Sequence, residues 1–375
     1  MLRIGYDAKR AFNNSSGLGN YSRAMIHILS EYYPNNEYIL YTPKEQEKFA
    51  RQFEDIANIR VQSPNFFWKT VPSLWRRYYL TKITAKKVDI FHGLSHELPI
   101  GIEKTNVKTI VTIHDLIAWR HPEYFKWIDS KIYRKKQKHA CEIADVVIAI
   151  SQQTKQDIIE ILKVDPQKIR VVYQPCDTMF YKSVTEEGEK MCAEKYLLPE
   201  RYILSVGTIE TRKNLMTTLR AMQFIPEDIC LVAIGRKTEY ANTVAAEAKK
   251  MNLSGRLRFI DNADFSDFPA IYSGALAFVY PSFYEGFGIP ILEAMNCGVP
   301  VITSNVTSLP EVGGKAALYI HPDDYKTLGE HINNILNDKK LRIEMIRAGR
   351  LQAAEFSEQK IADALWSIYR EVCAN

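Results

Sequence analysis

Two glutamates eight residues apart, Glu285 and Glu293, flank a turn whose residue types suit the binding of an anion. Gly286 and Gly288 let backbone N–H groups approach a ligand closely, and the helix that follows adds a partial positive charge. A carboxylate there repels phosphate, so it must serve a neutral neighbour, for which sugar hydroxyls are the obvious candidates. The combination predicts a nucleotide-sugar site. The alternative is a surface loop with two solvated acids, against which the glycines and Pro290 weigh.

The elements around this turn place both carboxylates at one edge of a sheet. A buried strand is predicted at Ala277–Tyr280, and the helix that follows begins near Pro290 and is capped at Gly298. Glu285 therefore lies in a strand-to-helix loop, and Glu293 lies about one turn into the helix. In an open α/β sheet, such loops form the ligand crevice at the carboxyl ends of the strands.

A second strand-to-helix loop contains two adjacent cations, Arg212 and Lys213, after a strand predicted at Tyr202–Val206. Cations at a helix start oppose the helix dipole, and a bound diphosphate would compensate them, whereas a surface pair would only be tolerated. Both residues are therefore candidates to stabilise the charge that builds on a departing diphosphate.

Two loops in the first half of the chain contain further candidates. Gly17 and Gly19 follow the first strand and open the first helix, where Rossmann-like units bind phosphate, although a plain turn is the default interpretation of this weak signal. His114 ends a strand predicted at Thr109–Ile113 and is the better candidate of the pair that it forms with Asp115. His114 is either a general base or a core residue with a satisfied ring nitrogen. Asp115 either orients His114 or holds the loop.

The segment from Glu285 to Glu293 resembles the E-x7-E signature of the retaining GT-B glycosyltransferases, the group 1 glycosyltransferases, and the resemblance covers nearly the whole chain. It implies an α/β fold of GT-B architecture, with two Rossmann-like parallel-sheet domains facing a cleft and the donor nucleotide held mostly by the second. It also implies that Glu285 contacts donor-sugar hydroxyls, Glu293 contacts ribose hydroxyls, and His114 contacts the donor sugar near the reacting centre.

The same resemblance implies contacts to the diphosphate. The loop with Gly17 and Gly19 would close over the diphosphate and the acceptor, and Lys213 matches the family's lysine directly. Thr208 stands where the family has a further basic residue, so the contact of Arg212 is left open. The backbone amides that would face the sugar and phosphates belong to Gly286, Phe287, Gly288 and Ile289.

Strand-like and helical runs alternate along the chain, which predicts parallel sheets with crossover helices. The predicted strands are Leu2–Tyr6, Tyr38–Tyr41, Ile90–Phe91, Thr109–Ile113, Val146–Ile150, Tyr202–Val206, Ile229–Ile234, Leu257–Ile260, Ala277–Tyr280 and Val299–Thr303. The predicted helices include Tyr21–Tyr33, Gln152–Leu162, Leu215–Met222, Asn242–Met251 and Ser357–Val372.

The domain boundary is predicted in the polar run 174–199. This gives an acceptor-side domain at 1–180 and a nucleotide-sugar-binding domain at 195–356. The resemblance implies that the closing segment, 357–375, crosses back to the first domain. Its apolar contact would come from Trp366 and Tyr369.

The composition is that of a soluble globular protein of two domains, with 375 residues of which 46% are hydrophobic and 25% charged. No signal peptide or membrane span is evident, and six scattered cysteines without Cys-x-x-Cys predict reduced thiols in the cytoplasm. His92 and His96 are an unpromising metal pair, since the residues around them do not form a helix. No Asp-x-Asp motif is present, so neither a metal nor another cofactor is predicted.

The net charge of +5 hides an asymmetry, because residues 1–174 contribute +9 and the remainder −4. Residues 66–88 hold six cations, six aromatic residues and no acid, and a second basic cluster at 134–138 follows Trp127 and Tyr133. Such a stretch suits the inner face of an anionic cell membrane, but a solvated helix face with core aromatics remains the alternative. No nucleic-acid-binding module accompanies it.

The function implied by the resemblance is metal-independent transfer of a hexose, with retention, from a nucleotide diphosphate sugar to a glycan or lipid-linked glycan. The run from Gly207 to Asn214 and the His121-Pro-Glu-Tyr-Phe segment look most like bacterial mannosyltransferases of surface polysaccharides, so GDP-mannose is the leading donor and UDP-sugars follow. The alternative functions are those of a GT-B epimerase or phosphorylase and of a non-catalytic nucleotide-sugar-binding protein. Intact Glu285, Lys213 and His114 count against a non-catalytic protein.

Overall fold

The computed structural model describes residues 1–374, apart from the side chain of Phe67. Phe67 of the basic aromatic stretch and Asn375 of the predicted closing segment therefore lie outside the described residues. The chain forms two compact units. One comprises Met1–Pro175 and the segment from Ser357 onward, and the other is Cys176–Phe356.

The first unit is built on a seven-stranded parallel sheet in the order β3-β2-β1-β4-β5-β6-β7. Its strands are β1 (Arg3–Asp7), β2 (Glu37–Tyr41), β3 (Ile59–Gln62), β4 (Ile90–Gly93), β5 (Lys108–Ile113), β6 (Val146–Ala149) and β7 (Ile169–Val171). In the register, Ile4 of β1 is paired with Tyr38 on one side and Ile90 on the other. The strand order reverses between β1 and β4, and such a switch point opens a crevice at the carboxyl ends of the strands.

Helices connect these strands. They are α1 (Lys9–Asn13), α2 (Gly17–Tyr32), α3 (Glu47–Ala50), α4 (Phe66–Lys69), α5 (Pro72–Leu74), α6 (Leu80–Thr84), α7 (Ile117–Arg120), α8 (Trp127–Ile143) and α9 (Gln152–Asp157). A π-helical turn at Trp75–Tyr79 follows directly on α5, and another at Ile158–Leu162 follows directly on α9. The sequence predicted that the glycine loop opens the first helix. This is wrong, because the short α1 precedes the loop, which therefore opens the second helix.

The second unit has a six-stranded parallel sheet in the order β10-β9-β8-β11-β12-β13, which reverses between β8 and β11. Its strands are β8 (Tyr202–Val206), β9 (Cys230–Ile234), β10 (Leu257–Ile260), β11 (Ala277–Tyr280), β12 (Val301–Ser304) and β13 (Leu318–Ile320). Its helices are α10 (Glu186–Tyr196), α11 (Leu215–Ala221), α12 (Glu239–Lys250), α13 (Phe268–Ser273), α14 (Ile289–Asn296), α15 (Leu309–Gly313), α16 (Tyr325–Asn337) and α17 (Lys339–Ala354).

The last helix, α18 (Glu358–Ala374), packs within the first unit. Trp366 stacks on Tyr33 with ring centroids 4.7 Å apart. Tyr369 is fully buried, and its hydroxyl lies 3.2 Å from that of Tyr6. Aromatic packing and a buried hydrogen bond thus hold this helix against the first sheet.

The second unit begins earlier than the predicted 195, because α10 belongs to it. Lys195 at the end of α10 lies 2.7 Å from both Asp264 and Asp267, which fixes this polar helix to the body of the unit. Among residues 1–374, no helix combines the length and the apolar character that crossing a bilayer requires.

Candidate active site

The carboxyl ends of β8 and β11 bring Arg212, Lys213 and Glu285 into one ion-paired cluster. Glu285 Oε1 lies 2.7 Å from Lys213 Nζ and 2.8 Å from Arg212 Nη1. The three side chains are largely buried, with exposed fractions between 9% for Glu285 and 17% for Lys213. Two loops that the sequence treats separately therefore meet at the switch point of the second sheet.

The charges within this cluster oppose the effect of burial on one another. Burial opposes ionisation of Glu285, but the charges of Arg212 and Lys213 outweigh it and lower its pKa to about 2. Burial lowers the pKa of Lys213 despite the opposing charge of Glu285. Burial also acts against Arg212, yet Glu285 and Glu210 raise its pKa. The site thus presents fixed buried cations, which suits the stabilisation of a departing diphosphate.

Three partners of the cluster were not predicted. Tyr280 accepts a hydrogen bond from Lys213 Nζ, which also lies 4.6 Å from the centre of the Tyr280 ring. Glu210 Oε1 and the carbonyl oxygen of Tyr284 each accept from Arg212 at 2.7 Å, and these are among its partners within the protein; a contact of Arg212 with the diphosphate stays a prediction. Tyr280 ends a correctly predicted strand, so its position at the carboxyl edge is a signal that could have identified it.

Glu293 lies on α14, whose ends agree with the sequence prediction. Gly288 has a φ of +116° at the helix start, and a Cβ there would lie 2.9 Å from Leu309 Cδ2, so only glycine fits. Gly298 follows the helix with a φ of +73°, as a left-handed cap. This geometry buries the Glu293 carboxylate, and Tyr272 donates a hydrogen bond of 2.7 Å to its Oε2.

Glu293 differs sharply from Glu285 in its electrostatics. Burial raises the pKa of Glu293 to about 7, and the hydrogen bond from Tyr272 only partly offsets this effect, while Asp177 adds to it. Glu293 forms no salt bridge within residues 1–374. Near neutral pH its carboxyl group is therefore close to the midpoint of its titration. A ligand that hydrogen-bonds to the charged form would offset the free-energy cost of burying that charge.

The loop between the two glutamates is held from the side of β12. Ser308 Oγ donates to the carbonyl oxygens of Glu285 and Phe287 at 3.0 and 2.8 Å. The Phe287 ring packs against Phe356 with centroids 5.6 Å apart, so this side chain belongs to the core. Gly286 and Gly288 are buried and Ile289 is half-buried. Ligand contacts by the amides of this loop remain predictions.

His114 lies in the first unit at the end of β5, buried against Tyr21. Its Nε2 donates to the carbonyl oxygen of Leu94 at 2.9 Å, so this nitrogen holds the proton and Nδ1 has the lone pair. Burial, followed by the charge of His96, lowers its pKa to about 3. A satisfied ring nitrogen and an accepting Nδ1 thus coexist, and a neutral ring can accept a hydrogen bond from a sugar hydroxyl.

Two of the other candidates in the first half of the chain, Asp115 and Gly19, have structural roles. Asp115 Oδ1 accepts from the backbone N–H of Ile117 at 3.1 Å, so it holds the turn into α7. A Cβ on Gly19 would lie 1.9 Å from the Asn14 carbonyl oxygen, so close packing requires this glycine. Gly17 is exposed, and a Cβ there would meet nothing within 4 Å. Contacts of Gly17 and Gly19 with a diphosphate remain predictions.

The two other histidines of this edge have protein partners. His92 is fully buried, with Nδ1 2.7 Å from the Tyr369 hydroxyl and Nε2 2.8 Å from Thr112 Oγ1. Gln137 Nε2 lies 3.3 Å from His96 Nδ1 and donates to it. Across residues 1–374, no group of three or more His, Cys, Asp or Glu side chains is arranged to hold a metal ion.

Comparison with known proteins decides the family. The family described as "Glycosyl transferases group 1" matches residues 193–352, and "Glycosyltransferase Family 4" matches residues 17–180. The O-antigen chain mannosyltransferase B of Escherichia coli is 31% identical over 285 residues, which are 75% of this chain and 74% of that protein. The chain belongs to the group 1 glycosyltransferases. The matched range of this family includes Arg212, Lys213, Glu285 and Glu293.

Further relatives of this glycosyltransferase agree. The O-antigen chain mannosyltransferase RfbU of Salmonella typhimurium is 30% identical over 299 residues, covering 76% of this chain and 79% of RfbU. The crystal structure of Anabaena Alr3699/HepE in complex with UDP and glucose superposes with a TM-score of 0.77 at 15% identity, covering 99% of this chain and all of that one. At that identity the likeness shows the fold alone, and the predicted GT-B architecture is confirmed.

Proposed function

We propose that this glycosyltransferase moves mannose, with retention, from GDP-mannose to a glycan or lipid-linked glycan acceptor. The observation that supports it best is the buried cluster of Arg212, Lys213 and Glu285 at the switch point of the second sheet. The names of the relatives, O-antigen chain mannosyltransferases, support mannose as the sugar and a polysaccharide as the acceptor. A UDP-sugar is the second candidate donor.

In the proposed reaction, the bond between the anomeric carbon and the diphosphate oxygen breaks, and its electron pair leaves with the diphosphate. The acceptor hydroxyl oxygen forms the new bond on the same face of the sugar. Its proton passes to the leaving diphosphate oxygen, so charge and atoms balance without a protein nucleophile. Arg212 and Lys213 stabilise the diphosphate as its charge grows, an effect that supplies several kcal/mol in preorganised sites.

The carboxylates and the histidine have binding roles in this proposal. Glu285 accepts hydrogen bonds from donor-sugar hydroxyls while it orients the two cations, and Glu293 accepts from the ribose hydroxyls. His114 accepts from a donor-sugar hydroxyl through Nδ1. We further propose that no metal is needed, because two fixed side-chain cations are already present for the diphosphate. Undiminished transfer in excess EDTA would agree with this, and its abolition would contradict it.

A panel of nucleotide sugars tests the donor. With GDP-mannose, UDP-glucose and UDP-N-acetylglucosamine, we expect slow hydrolysis of GDP-mannose alone, and calorimetric binding of GDP in preference to UDP. The anomeric configuration of the product, followed by proton NMR, is expected to match that of the donor. Preference for a UDP-sugar would show that GDP-mannose is not the donor. A product with inverted anomeric configuration would overturn retention. No turnover of any donor would favour a non-catalytic protein.

We also propose that residues 66–88 contact a membrane. Several side chains of this stretch are engaged within the protein, which leaves fewer of them for that contact. Trp75 is buried, and Trp68 and Tyr79 stack on each other at 4.6 Å, so these rings face the protein. Arg76 is paired with acids from outside the stretch, Asp7 and Glu97, so its charge is compensated within the protein. Among the side chains of this stretch that the structure describes, the large exposed apolar residues are Phe66, Leu74 and Tyr78.

The second basic cluster also follows exposed apolar residues. Trp127 and Ile128 at the start of α8 are 69% and 62% exposed, and Ile132 follows one turn later at 48%. Lys131 lies 3.8 Å from the centre of the Trp127 ring. Exposed aromatic and aliphatic residues beside cations suit the boundary between lipid headgroups and acyl chains. Both stretches belong to the first unit, which holds the positive charge.

Vesicle sedimentation tests the membrane proposal. Wild type is expected to sediment with anionic vesicles at low salt and to be released at high salt, because the attraction is screened. Changing Arg77, Lys82 and Lys86 to Gln should weaken binding by about 1 kcal/mol per cation. A control with the exposed Lys249, Lys339 and Lys340 of the second unit changed to Gln should bind like wild type. Equal binding by both variants, or none by wild type, would identify an ordinary solvated surface.

A further inference from the structure

A cavity of about 620 Å³ lies in the first unit at the carboxyl ends of β1, β2 and β3. None of the site residues described above lines it. Its wall includes one acid, Glu45, and four cations. These cations are Lys9, Lys44, Lys69 and Arg76. The volume is within the usual range of small-ligand sites, roughly 300–1,000 Å³.

Three of these cations lack compensating groups. Within residues 1–374, the side-chain amines of Lys9, Lys44 and Lys69 form no hydrogen bond or ion pair. The single acid, Glu45, accepts a hydrogen bond from Ser63 Oγ, which also lines the cavity, and its one negative charge is outnumbered by the three lysines. Lys9 is partly buried, and burial, followed by the charge of Arg76, lowers its pKa. The cavity therefore has an excess of positive charge that the protein does not neutralise.

Arg76 is held in a fixed orientation at the cavity wall. Its Nε lies 2.7 Å from Asp7 Oδ2 and its Nη2 lies 2.5 Å from Glu97 Oε2, and its side chain is only 12% exposed. Lys136 lies 3.1 Å from the other oxygen of Glu97, so these two acids and two cations balance one another. The Nη1 of Arg76 has no partner within residues 1–374 and remains able to donate to a ligand.

We propose that this cavity binds a phosphoryl group, as a phosphate monoester or a diphosphate, on the acceptor of the glycosyl transfer. That the ligand is a glycosyl acceptor rests on the proposed function. That it contains a phosphoryl group rests on the side chains of the cavity. A carboxylate needs one guanidinium, whereas a doubly charged phosphoryl group matches several lysines around one oriented arginine. The donor diphosphate is assigned to Arg212 and Lys213 of the second unit, so this site is a separate one.

The position of the cavity agrees with an acceptor role. The cavity and His114 lie at the same edge of the first sheet, at the carboxyl ends of its strands, on either side of the reversal between β1 and β4. Glu97, which follows β4, connects the two sides through its ion pair with Arg76. A phosphoryl group bound by the lysines would therefore fix one end of an acceptor whose other end extends along this edge.

Equilibrium dialysis with inorganic pyrophosphate tests the site itself. Wild type is expected to bind at two places. The triple variant Lys9→Gln, Lys44→Gln and Lys69→Gln should lose one of them, with affinity reduced about 10-fold or more, and should keep the other. Lys213→Ala should show the reverse. A control variant with Lys249, Lys339 and Lys340 changed to Gln has the same net charge and should bind at both. Wild-type binding by the triple variant, with circular dichroism showing that it is folded, would overturn the proposal.

Transfer assays with matched acceptors test the acceptor role and the source of the phosphoryl group. Three mannosyl acceptors are compared, with an uncharged alkyl group, a phosphate monoester, or a prenyl diphosphate. For at least one charged acceptor, the kcat/KM of the triple variant should be about 10-fold or more below that of wild type. For the uncharged acceptor, its kcat/KM should equal that of wild type. The acceptor that loses most identifies the source, and equal effects on all three would overturn the acceptor role.

Donor hydrolysis separates this inference from the proposed function. The triple variant should hydrolyse the nucleotide sugar at the wild-type rate, because water replaces the acceptor. If no donor is hydrolysed by wild type, the proposed function fails while pyrophosphate binding still reports on the cavity. If hydrolysis proceeds and the triple variant behaves as wild type in both assays, the cavity assignment alone fails.

Discussion

Lys213→Ala is expected to lower turnover about 100- to 1,000-fold, since the loss of one preorganised charge donor at a developing anion has that effect. Lys213 Nζ is held between Glu285 and the Tyr280 hydroxyl, so in the proposed reaction the cation would need no rearrangement as charge builds on the diphosphate. Its surroundings are largely buried, where an electrostatic contact is stronger than in water. The fold should persist, because Arg212 still neutralises Glu285 at 2.8 Å.

The measurement is kcat for transfer and for donor hydrolysis, together with the Kd of the free nucleotide. The matched control is Lys250→Ala, which removes another lysine of the second unit that is paired with a glutamate, Glu247, but is 75% exposed. This control should leave all three quantities unchanged, since exposed pairs contribute about 0–1 kcal/mol to stability and this one lies outside the site. A Lys213→Ala enzyme with near-normal kcat would remove Lys213 from the reaction.

The interior strands of both sheets were predictable from sequence because each is a short apolar run buried on both faces. All ten predicted strands are present, with ends displaced by at most two residues. The three strands that were not predicted are β3, β7 and β13, and each lies at the edge of a sheet. Edge strands have one neighbour and tolerate exposed positions, such as Arg60 and Val61 in β3, so they can lack a continuous apolar run. The fourth edge strand, β10, was predicted.

The positions of the site residues follow from the predicted strands, because loops that follow parallel strands meet at one edge of the sheet. Their charge states were not. Tyr272, which donates to Glu293, comes from α13, and nothing in its local sequence marks it. Arg76 lies in a stretch without acids, yet Asp7 and Glu97 reach it from two other strand ends. Ion pairing and burial depend on tertiary packing, and these properties set the pKa of each group.

The two glutamates are expected to respond in opposite ways to the same substitution, and Glu293→Gln is the more informative. The pKa of Glu293 rises from 4.5 to about 7 on folding, so the native state binds more protons than the unfolded state between these values. The free energy of unfolding therefore falls as pH rises through that window. At about 1.4 kcal/mol per unit, the charged carboxylate costs on the order of 3 kcal/mol above pH 7.

Glutamine cannot ionise, and its Oε1 can still accept the hydrogen bond from Tyr272. Glu293→Gln should therefore be more stable than wild type at pH 8 and equally stable near pH 4.5, as measured by urea unfolding at both pH values. It should also bind GDP more weakly at pH 8, by about 1.5–3 kcal/mol, because a charged acceptor for the ribose hydroxyls is lost. In wild type the affinity for GDP should decrease as the pH falls below 7, whereas in the variant it should not.

Glu285→Gln supplies the contrast. The pKa of Glu285 falls to about 2 on folding, so its charge stabilises the native state at every pH above its unfolded value of 4.5, and that stability is lost as the pH drops toward 2. Removing this charge leaves Arg212 and Lys213 buried without their shared partner, which is expected to cost about 3–5 kcal/mol at neutral pH. Free GDP should bind no more weakly, because both cations remain, while transfer should fall.

Calorimetry with GDP and urea unfolding on the two variants therefore give crossed outcomes: Glu293→Gln gains stability at pH 8 and loses nucleotide affinity, and Glu285→Gln loses stability and keeps that affinity. Equal losses of affinity in both variants would contradict the division of roles between the carboxylates. A Glu293→Gln protein less stable than wild type at pH 8 would show that Glu293 is ionised and stabilising in the folded chain. In that case its burial would not be a cost that nucleotide binding offsets.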